Sequence, residues 1–558
     1  MLKVAFMPFI GLTALLFSVF SASANTFQAS ANQAEQDKAR ENALAPQQQE
    51  FKSSRDATKS ESIIFPEEIP CKYINGVIID SDDARLTKKL LGKLANSAVH
   101  KCLGIKGIRL LAFKLQNALI AQGYITSLID VPAQDMPDGI LRLTLRYGVA
   151  GDIRYDDATK SNETRLWNTL PVSEGDVLRL PDLEQGMANL QRLPGSSAQM
   201  RLQPGQREGE TDIILTRTLN KPWQVGAWLD DAGSRASGRY QGGGALYLYD
   251  LTNLDDILYV AAGRDLEFNQ HDDGNHNRSL YFAIPFGYWS VSVYASHSSY
   301  LQQFKGRYSS TDYESKNRYY SATLERLLSQ TRTQKTSASV RVFKSRSRYY
   351  FGGDELYVMR KQNPALELGL RHQHYFANSV IDAGLSYQHH LSALSSTQTP
   401  EEKAGLFDKD ARIVKADIKA LMKFDGTGEK FSYAPNLSVQ LSPDTLPTDN
   451  TFNIGNRWTV RGFDGEQTLS SNQGWYLRND FIWDIPTPDR QVYFGLDIGK
   501  IIGSDRYQQG KVLSGAVAGV RGEWLLTQYD FFIGTPVSRP DDFHTDSLNM
   551  GFSLQWRY

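Results

Sequence analysis

The chain ends in Ser547-Leu548-Asn549-Met550-Gly551-Phe552-Ser553-Leu554-Gln555-Trp556-Arg557-Tyr558, a stretch that alternates strictly between two kinds of side chain. Apolar and aromatic residues occupy every second position from Leu548 to Tyr558, and small or polar residues lie between them. Successive side chains of a β-strand point to opposite faces, so this pattern predicts a strand with one apolar and one hydrated face. Strands of transmembrane β-barrels have this pattern.

The same alternation recurs from residue 220 to residue 558, between turns rich in Gly, Asn, Asp and Ser. At about 20 residues per strand and loop, this region holds roughly sixteen strands. We therefore predict a mainly β fold with a C-terminal transmembrane antiparallel β-barrel of about 16 strands. The mean hydropathy of −0.42 is compatible with it, because only alternate strand residues face lipid. A soluble antiparallel sandwich is the alternative, and the number of segments argues against it.

The N-terminus has the features of a secretory signal peptide. Lys3 precedes an apolar run from 4 to 20, and Ala22-Ser23-Ala24 offers a small-residue cleavage site. We predict a signal peptide at 1–24, with a membrane anchor helix as the alternative. The remainder of the sequence contains no run of 18 apolar residues, so we predict no helical membrane span.

Residues 25–62 lack an apolar face. Residues 31–45 combine good helix formers with polar character on all sides, and Pro46 follows them. Such a helix is suited to a water-filled barrel, where it would plug the pore, and a disordered tail is the alternative. Residues 47–62 are predicted to be a polar linker.

Two small α+β domains are predicted between the linker and the barrel, at 63–147 and 148–219. In the first, a helical stripe at 108–122 ends at Gly123, and Leu141, Leu143 and Leu145 alternate with polar residues as in a half-buried strand. The second repeats this plan in a shorter form, with a helix around 183–190 and strands after it.

The sequence contains two cysteines, Cys71 and Cys102, and both lie in the first of these domains. In an oxidising exported compartment they are predicted to form a disulfide. Two buried free thiols are the alternative, and a metal site is disfavoured because His100 is the only histidine nearby.

A loop and a later strand carry complementary charges. Arg461 lies in Val460-Arg461-Gly462-Phe463, within a Gly-bearing loop predicted at 455–472. The alternation around Asp497 places its side chain on the inner face of a strand. A carboxylate inside a barrel needs a partner, and Arg461 would supply it if the loop folds inward. Two unrelated surface charges are the alternative.

Several motifs together resemble the two-partner secretion outer-membrane transporters (TpsB) of the haemolysin secretion/activation type, which belong to a superfamily of polypeptide-transporting barrels with POTRA domains. In chain order these motifs are Gly123-Tyr124-Ile125-Thr126-Ser127, Gly139-Ile140-Leu141-Arg142-Leu143, Asn189-Leu190-Gln191-Arg192-Leu193-Pro194, Leu202-Gln203-Pro204-Gly205, Asp230-Asp231-Ala232-Gly233-Ser234, Val460-Arg461-Gly462-Phe463 and the strand of Asp497. Each motif alone is weak, but their order over nearly 400 residues is specific.

The resemblance implies an outer-membrane location with two periplasmic POTRA domains. It implies transport of one large unfolded exoprotein to the cell surface, in which Val460, Arg461, Gly462, Phe463 and Asp497 take part. A haemolysin is the expected cargo, with an adhesin or a contact-dependent inhibition toxin as the alternative, and the resemblance leaves open whether export also activates the cargo. Further partners are outer-membrane lipid and, during biogenesis, the barrel assembly machinery, whose recognition signal the aromatic C-terminus resembles.

The second POTRA domain also offers a candidate docking edge. We expect the strand at Gln199, Met200, Arg201, Leu202 and Gln203 to be extended by a β-strand of the client.

No catalytic or cofactor site is predicted. The sequence lacks a phosphate-binding loop, and its net charge of −1 offers no general field for nucleic acid, so neither nucleotide nor nucleic acid is expected as a partner. His372 and His374 continue an apolar row and are predicted to mark the end of a lipid-facing strand instead of a metal site. A barrel assembly factor and a passive porin are competing functions, disfavoured because two small domains are too few for the first and unnecessary for the second.

Overall fold

The computed structural model describes most of the chain, namely residues 38–45, 48–51, 53, 63–156, 164–235, 238–267, 274–305, 310–394, 398–426, 428–486, 489–502 and 511–558. The predicted signal peptide and the first part of the predicted 31–45 helix lie outside these residues. Within them, no helix combines the length and the apolar character that crossing a bilayer requires.

The first described element is a short helix, α1 (38–44), and a small α+β domain follows it. The domain's elements are β1 (Lys72–Tyr73), β2 (Gly76–Asp80), α2 (Ala84–Ala95), β3 (Cys102–Leu103), α3 (Ile105–Ala121), β4 (Leu128–Asp130) and β5 (Ile140–Arg146). Three of the strands form a sheet in the order β2-β5-β4. The stripe of Leu111, Leu115 and Leu119 on α3 and the inner face of β5 share one buried core.

Residues 73–79 do not form one continuous strand, because the structure divides this segment into β1 and β2. Ile74 enters the core between them, and the side chain of Asn75 donates to the carbonyl of Asp138 at 2.9 Å. These contacts turn the backbone, so β1 pairs with β3 and β2 pairs with β5.

The predicted disulfide is confirmed. Cys71 and Cys102 are bonded across the β1–β3 pair, with their Cα atoms 5.4 Å apart and their positions 31 apart in sequence. Closing a loop of this length stabilises a domain by roughly 3–4 kcal/mol through the entropy of the unfolded chain.

The second α+β domain consists of β6 (Val149–Tyr155), α4 (Leu166–Thr169), α5 (Leu180–Gln191), β7 (Ser196–Pro204) and β8 (Glu210–Leu219). Its sheet has the order β6-β8-β7, so β7 lies at the edge. Leu183 and Leu190 of α5 pack on the inner face of this sheet.

The predicted barrel is confirmed, and the described residues close it with sixteen antiparallel strands. Its first half contains β9 (Trp223–Asp230), β10 (Gln241–Tyr249), β11 (Ile257–Asp265), β12 (Gly274–Phe286), β13 (Trp289–Lys305), β14 (Ser310–Gln330) and β15 (Gln334–Phe351). A two-residue strand, β16 (Asp354–Glu355), and a turn lead to β17 (Lys361–Tyr375) and β18 (Ser379–His390), and then a helical turn, α6 (Pro400–Lys403), precedes β19 (Arg412–Gly426) and β20 (Glu429–Leu441).

After β20 the chain forms a short hairpin, β21 (Phe452–Ile454) and β22 (Leu469–Ser471), which is separate from the barrel wall. The wall resumes with β23 (Gln473–Asp484), β24 (Arg490–Ile502), β25 (Val512–Trp524), β26 (Thr527–Ser538) and β27 (Asn549–Arg557). The last strand pairs with β9 and closes the cylinder.

The strand alternation divides inside from outside as the sequence predicts. On β24, Phe494 and Leu496 are exposed on the outer surface, whereas Tyr493 and Asp497 are buried inside. The second α+β domain contacts the turns after β10 and β12, where Arg192 pairs with Asp255 and Asn189 donates to the carbonyl of Gly287. The loop between β20 and β23 therefore starts at the opposite end of the barrel.

Candidate functional site: a loop held inside the barrel

The β21–β22 hairpin carries residues 455–468 into the lumen. Phe452, Ile454 and Leu469 of the hairpin pack with Ile501 of β24 and Leu513 of β25 in one buried cluster. Apolar burial against two wall strands fixes the base of the loop, so its tip has a defined position inside the barrel.

Arg461 at the tip and Asp497 on the wall form a dense set of hydrogen bonds. The backbone N–H of Arg461 donates to Oδ2 of Asp497 at 3.0 Å, its Nε donates to the same oxygen at 2.7 Å, and its Nη2 donates to Oδ1 at 2.9 Å. Arg461 is 5% exposed and Asp497 is fully buried. Multiple charge-assisted bonds of this kind set orientation as well as energy. The structure thus brings together the two charges singled out in the sequence.

Asp480 on β23 is a second carboxylate partner, which the sequence analysis missed. Nη2 of Arg461 donates to Oδ1 of Asp480 at 2.5 Å, and the guanidinium of Arg521 lies 3.8 Å from the other oxygen. Asp480 lies between outward-facing Asn479 and Phe481, so the alternation of β23 carried the signal that could have found it.

At the contact between the loop tip and the barrel wall, glycines leave the backbone without side chains. Gly462 has a φ of +98°, and a Cβ atom there would meet the carbonyl oxygen of Thr535 at 2.5 Å. A Cβ on Gly515 of β25 would come within 1.9 Å of the carbonyl oxygen of Arg461, and one on Gly495 of β24 within 2.5 Å of Nη2 of Arg461. The approach of the loop to the wall therefore requires glycine on both sides.

Val460 and Phe463 anchor the tip on either side of the ion pair. Both side chains are fully buried, and the ring of Phe463 meets that of Phe543 edge to face at 5.5 Å. The side-chain amide of Asn549 donates to the carbonyl of Phe463 at 2.7 Å. Apolar packing and hydrogen bonding thus reinforce the charged contact.

A further arginine ties the loop to the start of the barrel. Arg457 Nη1 donates to Oδ1 of Asp231 at 2.9 Å and its Nη2 donates to the carbonyl of Phe552 at 3.2 Å. Asp231 follows β9 and belongs to the Asp230-Asp231 motif. The loop therefore links β24 and β25 to the seam where the barrel closes.

The described part of the predicted plug helix lies within the barrel. Nη2 of Arg40 donates to Oε1 of Gln241 at 2.8 Å, and Glu41 pairs with Arg341 of β15 at 3.3 Å. Leu44 packs in a cluster of barrel tyrosines. The chain after α1 then reaches α5 of the second α+β domain, where the N–H of Gln49 donates to the carbonyl of Arg192 at 3.0 Å.

The predicted docking strand is an edge. Residues 199–203 lie on β7, whose hydrogen-bonded partner in the sheet is β8 on one side. The side chains of Gln199, Arg201, Leu202 and Gln203 are exposed, and that of Met200 is partly buried. An exposed edge strand presents unpaired backbone groups to another chain.

No cluster of three or more His, Cys, Asp or Glu suited to a metal occurs in the described part of the chain. The rings of His372 and His374 lie 5.9 Å apart on β17, and Thr336 Oγ1 lies 2.9 Å from His372 Nδ1. Leu368 and Leu370 of the same row are exposed on the outer surface.

Comparison with known proteins gives matches along nearly the whole chain. A protein-family profile described as "Haemolysin secretion/activation protein ShlB/FhaC/HecB" matches residues 209–522, more than half of the chain. Profiles described as "POTRA domain, ShlB-type" and "POTRA domain" match residues 74–148 and 150–204.

Individual relatives match at similar length. The chain is 32% identical over 512 residues to "Outer membrane transporter CdiB-2" of Burkholderia pseudomallei (strain 1026b), a match that covers 88% of this chain and 87% of the relative. It is 25% identical to "Hemolysin transporter protein ShlB" of Serratia marcescens, covering 81% and 80%. The solved structure of CdiB from Acinetobacter baumannii has the same fold, with a TM-score of 0.82, 24% identity, and coverage of 95% of this chain and 99% of that one.

Proposed function

The chain belongs to the haemolysin secretion/activation protein family ShlB/FhaC/HecB, and on that premise we propose that its cargo is a large exoprotein of contact-dependent inhibition. It is an outer-membrane transporter of two-partner secretion, and its two POTRA domains lie in the periplasm. The similarity that carries the cargo proposal is the 32% identity to an outer-membrane transporter named CdiB-2, over 88% of the chain.

A haemolysin remains the second candidate cargo. It is favoured by the family description and by the 25% identity to the haemolysin transporter of Serratia marcescens. The haemolysin expected from the sequence thus has weaker support than its alternative, because the relative named for it is less similar.

The route begins in the periplasm. The edge of β7 binds an extended segment of the client, which enters the barrel from the adjacent mouth. Transfer needs α1 to leave the lumen, while Arg461 keeps the loop in place against β24. Folding of the exoprotein outside the cell makes the transfer one-way, because folded protein cannot re-enter the pore.

We also propose that the chain catalyses no reaction. The buried charges at the loop tip are engaged with one another, as Arg461 binds Asp497 and Asp480 at 2.5–3.0 Å. Groups held in this way suit a structural anchor better than proton transfer, for which a poised acid or base is needed.

Inspection of the adjacent reading frame for a very large β-helical exoprotein, followed by expression of this chain with that exoprotein, tests the proposal. We expect surface display of the exoprotein and growth inhibition of susceptible neighbouring cells that touch the producer. Display without inhibition but with lysis of erythrocytes would transfer the assignment to a haemolysin. Display that is unchanged when this chain is deleted would reject the transport of that exoprotein.

A further inference from the structure

The lumen contains a ladder of tyrosines on neighbouring strands. Tyr247 of β10 is the register partner of Tyr259 on β11, which is the partner of Tyr281 on β12, which in turn is the partner of Tyr294 on β13. Tyr319 of β14 extends the row, with its ring 6.1 Å from that of Tyr294. We call these five residues the tyrosine ladder.

The rings of the ladder face the interior and contact each other. The rings of Tyr247 and Tyr259 are 5.5 Å apart, and those of Tyr259 and Tyr281 stack at 5.3 Å. The residues beside them, such as Val260 and Tyr320, are exposed on the outer surface. The five adjacent strands β10 to β14 therefore present a strip of aromatic side chains to the lumen, and four of these side chains are in register.

One end of the strip lies beside the periplasmic domains. Tyr247 is two residues from the end of β10, and the turn that follows contains Asp255, the partner of Arg192. Leu193, two residues after the end of α5, packs in the same buried cluster as Tyr247 and Tyr259. The ladder thus begins where the second POTRA domain meets the barrel.

In this structure α1 covers the ladder. Leu44 belongs to the same cluster, and the hydroxyl of Tyr247 donates to the carbonyl of Leu44 at 3.1 Å. Nearby, Nη2 of Arg557 donates to the carbonyl of Ala43 at 2.8 Å. The barrel wall therefore holds the helix end through main-chain carbonyls and an aliphatic side chain, both of which any polypeptide can offer.

We propose that the tyrosine ladder is the contact surface for the extended exported polypeptide, and that α1 occupies this surface in the resting state. The proposal rests on the proposed transport function and names the part of the lumen that binds the client. A moving chain displaces α1 and takes over its contacts, with its apolar side chains against the rings and its carbonyls against the tyrosine hydroxyls and Arg557.

Tyrosine suits this role for physical reasons. Its ring binds apolar side chains of any shape, its hydroxyl donates to main-chain carbonyls, and it loses little conformational entropy because it has two side-chain torsions. Neither interaction depends on one particular client sequence. Each contact is weak, so a chain remains in the lumen yet can still slide.

Site-specific photocrosslinking tests the ladder directly. A photoreactive benzoylphenylalanine replaces Tyr281 or, as a matched control, Tyr320, an outward-facing tyrosine of β14. The probe is the exoprotein of the adjacent reading frame, fused to a disulfide-closed domain that stalls it in the pore. We expect the Tyr281 position to yield adducts at least about tenfold above the Tyr320 position.

A pair of substitutions separates a client surface from a structural role. In the full-length chain, Tyr259→Ser with Tyr281→Ser removes ring contacts from both α1 and the client. We expect the open fraction of the pore in planar bilayers to rise while export per folded barrel falls about tenfold, the factor for one to two lost aromatic contacts. Tyr259→Phe with Tyr281→Phe should keep export, because the rings remain.

The control pair is Tyr313→Ser with Tyr349→Ser, two stacked tyrosines in a separate cluster. It should leave the open fraction of the pore unchanged. The ladder proposal would be overturned if adducts at Tyr320 equalled those at Tyr281. It would also be overturned if assembled Tyr259→Ser/Tyr281→Ser barrels exported as the wild type does. Either result would leave the proposed transport function standing. If the unsubstituted chain fails to export the exoprotein, the proposed function fails, and the ladder proposal falls with it. If the serine pair does not assemble, the crosslinking decides.

Discussion

Nε of Arg461 lies 2.7 Å from Oδ2 of Asp497, and the backbone N–H of Arg461 donates to the same oxygen at 3.0 Å. One carboxylate thus fixes both the main chain and the side chain of the loop tip. Removal of one partner from such a buried pair leaves an uncompensated charge, at a cost of about 3–5 kcal/mol.

We predict that Arg461→Ala and Asp497→Ala leave a folded barrel but reduce export more than about tenfold, because the lost anchorage corresponds to several kcal/mol. Charge reversal at Asp497 should act similarly. Asp480→Asn is the matched control, since Arg461 keeps its contacts with Asp497, and its defect should be smaller. The amount of secreted exoprotein is divided by the amount of folded barrel, and the folded barrel is quantified by its heat-modifiable electrophoretic mobility. Normal export by Arg461→Ala at normal abundance would rule out the role of the loop tip.

Deletion of residues 25–45 should raise the conductance of the pore. The deletion removes α1 and its contacts with Gln241 and Arg341, which leaves the lumen free for water and ions. Single-channel currents in planar bilayers measure the change. A conductance equal to that of the full-length chain would exclude a plug, provided that the barrel is folded.

Arg217 should be needed to dock the second POTRA domain on the barrel. Its Nη1 and Nη2 lie 2.7 Å from carboxylate oxygens of Asp250 and Asp255, and it is 1% exposed. Arg217→Met keeps much of the volume but leaves both acids buried without this cation, which costs about 3–5 kcal/mol. We expect faster proteolysis at the domain–barrel junction.

Arg201→Met is the matched control for this substitution. Its ion pair with Asp156 is exposed to solvent, so the change should alter stability by less than about 1 kcal/mol. Equal protease resistance of Arg217→Met and the unsubstituted chain would contradict the docking role.

The first POTRA domain should lose stability in acid through Glu68. Burial alone would raise the pKa of Glu68, but its carboxylate accepts hydrogen bonds from the N–H groups of Gly104, Lys106 and Gly107 at 2.7–3.1 Å, and the net result is a lowered pKa. A lowered folded-state pKa contributes stability above the unfolded value, near 4.3, and this contribution is lost as pH falls through the folded value.

Protease resistance of this domain in the full-length chain, followed from about pH 6 to pH 3 across the glutamate range, measures the effect. Glu68→Gln should lower resistance at pH 6 and flatten the decline at acidic pH, because the substituted side chain has no carboxylate to protonate. Glu67→Gln, at the exposed neighbouring position, is the control and should keep the native profile. A Glu68→Gln profile parallel to that of the native chain would contradict the prediction.

The sequence predicted those parts of the fold that depend on local periodicity. Alternation placed Asp497 inside β24 and Met550 outside β27, because the side-chain period of a strand is fixed by its backbone. The closed barrel, the two α+β domains and the disulfide followed from such patterns and from the cysteine count.

Contacts between segments that are distant in sequence were harder to predict from the sequence. Asp480 was missed as a partner of Arg461 because two inward carboxylates on neighbouring strands look alike until the loop position is known. The pairing of Arg217 with Asp255 joins two domains, and no periodicity within either domain reports it. The break between β1 and β2 follows from Ile74 entering a core that is formed mainly by later residues.

Because glycines lie beneath the loop tip, the two halves of the barrel interior differ in the size of the side chains that line them. On β24 and β25, backbone at Gly495 and Gly515 meets the loop directly, so that half is filled by a fixed insert. On β10 to β13, large side chains line the opposite half, and α1 rests on them, held by separate contacts with Gln241, Tyr247, Arg341 and Arg557. Departure of α1 from the lumen therefore does not require the loop to leave its position. The lumen therefore has two sides: one stays filled by the loop, and the other becomes free for a passing polypeptide once α1 leaves.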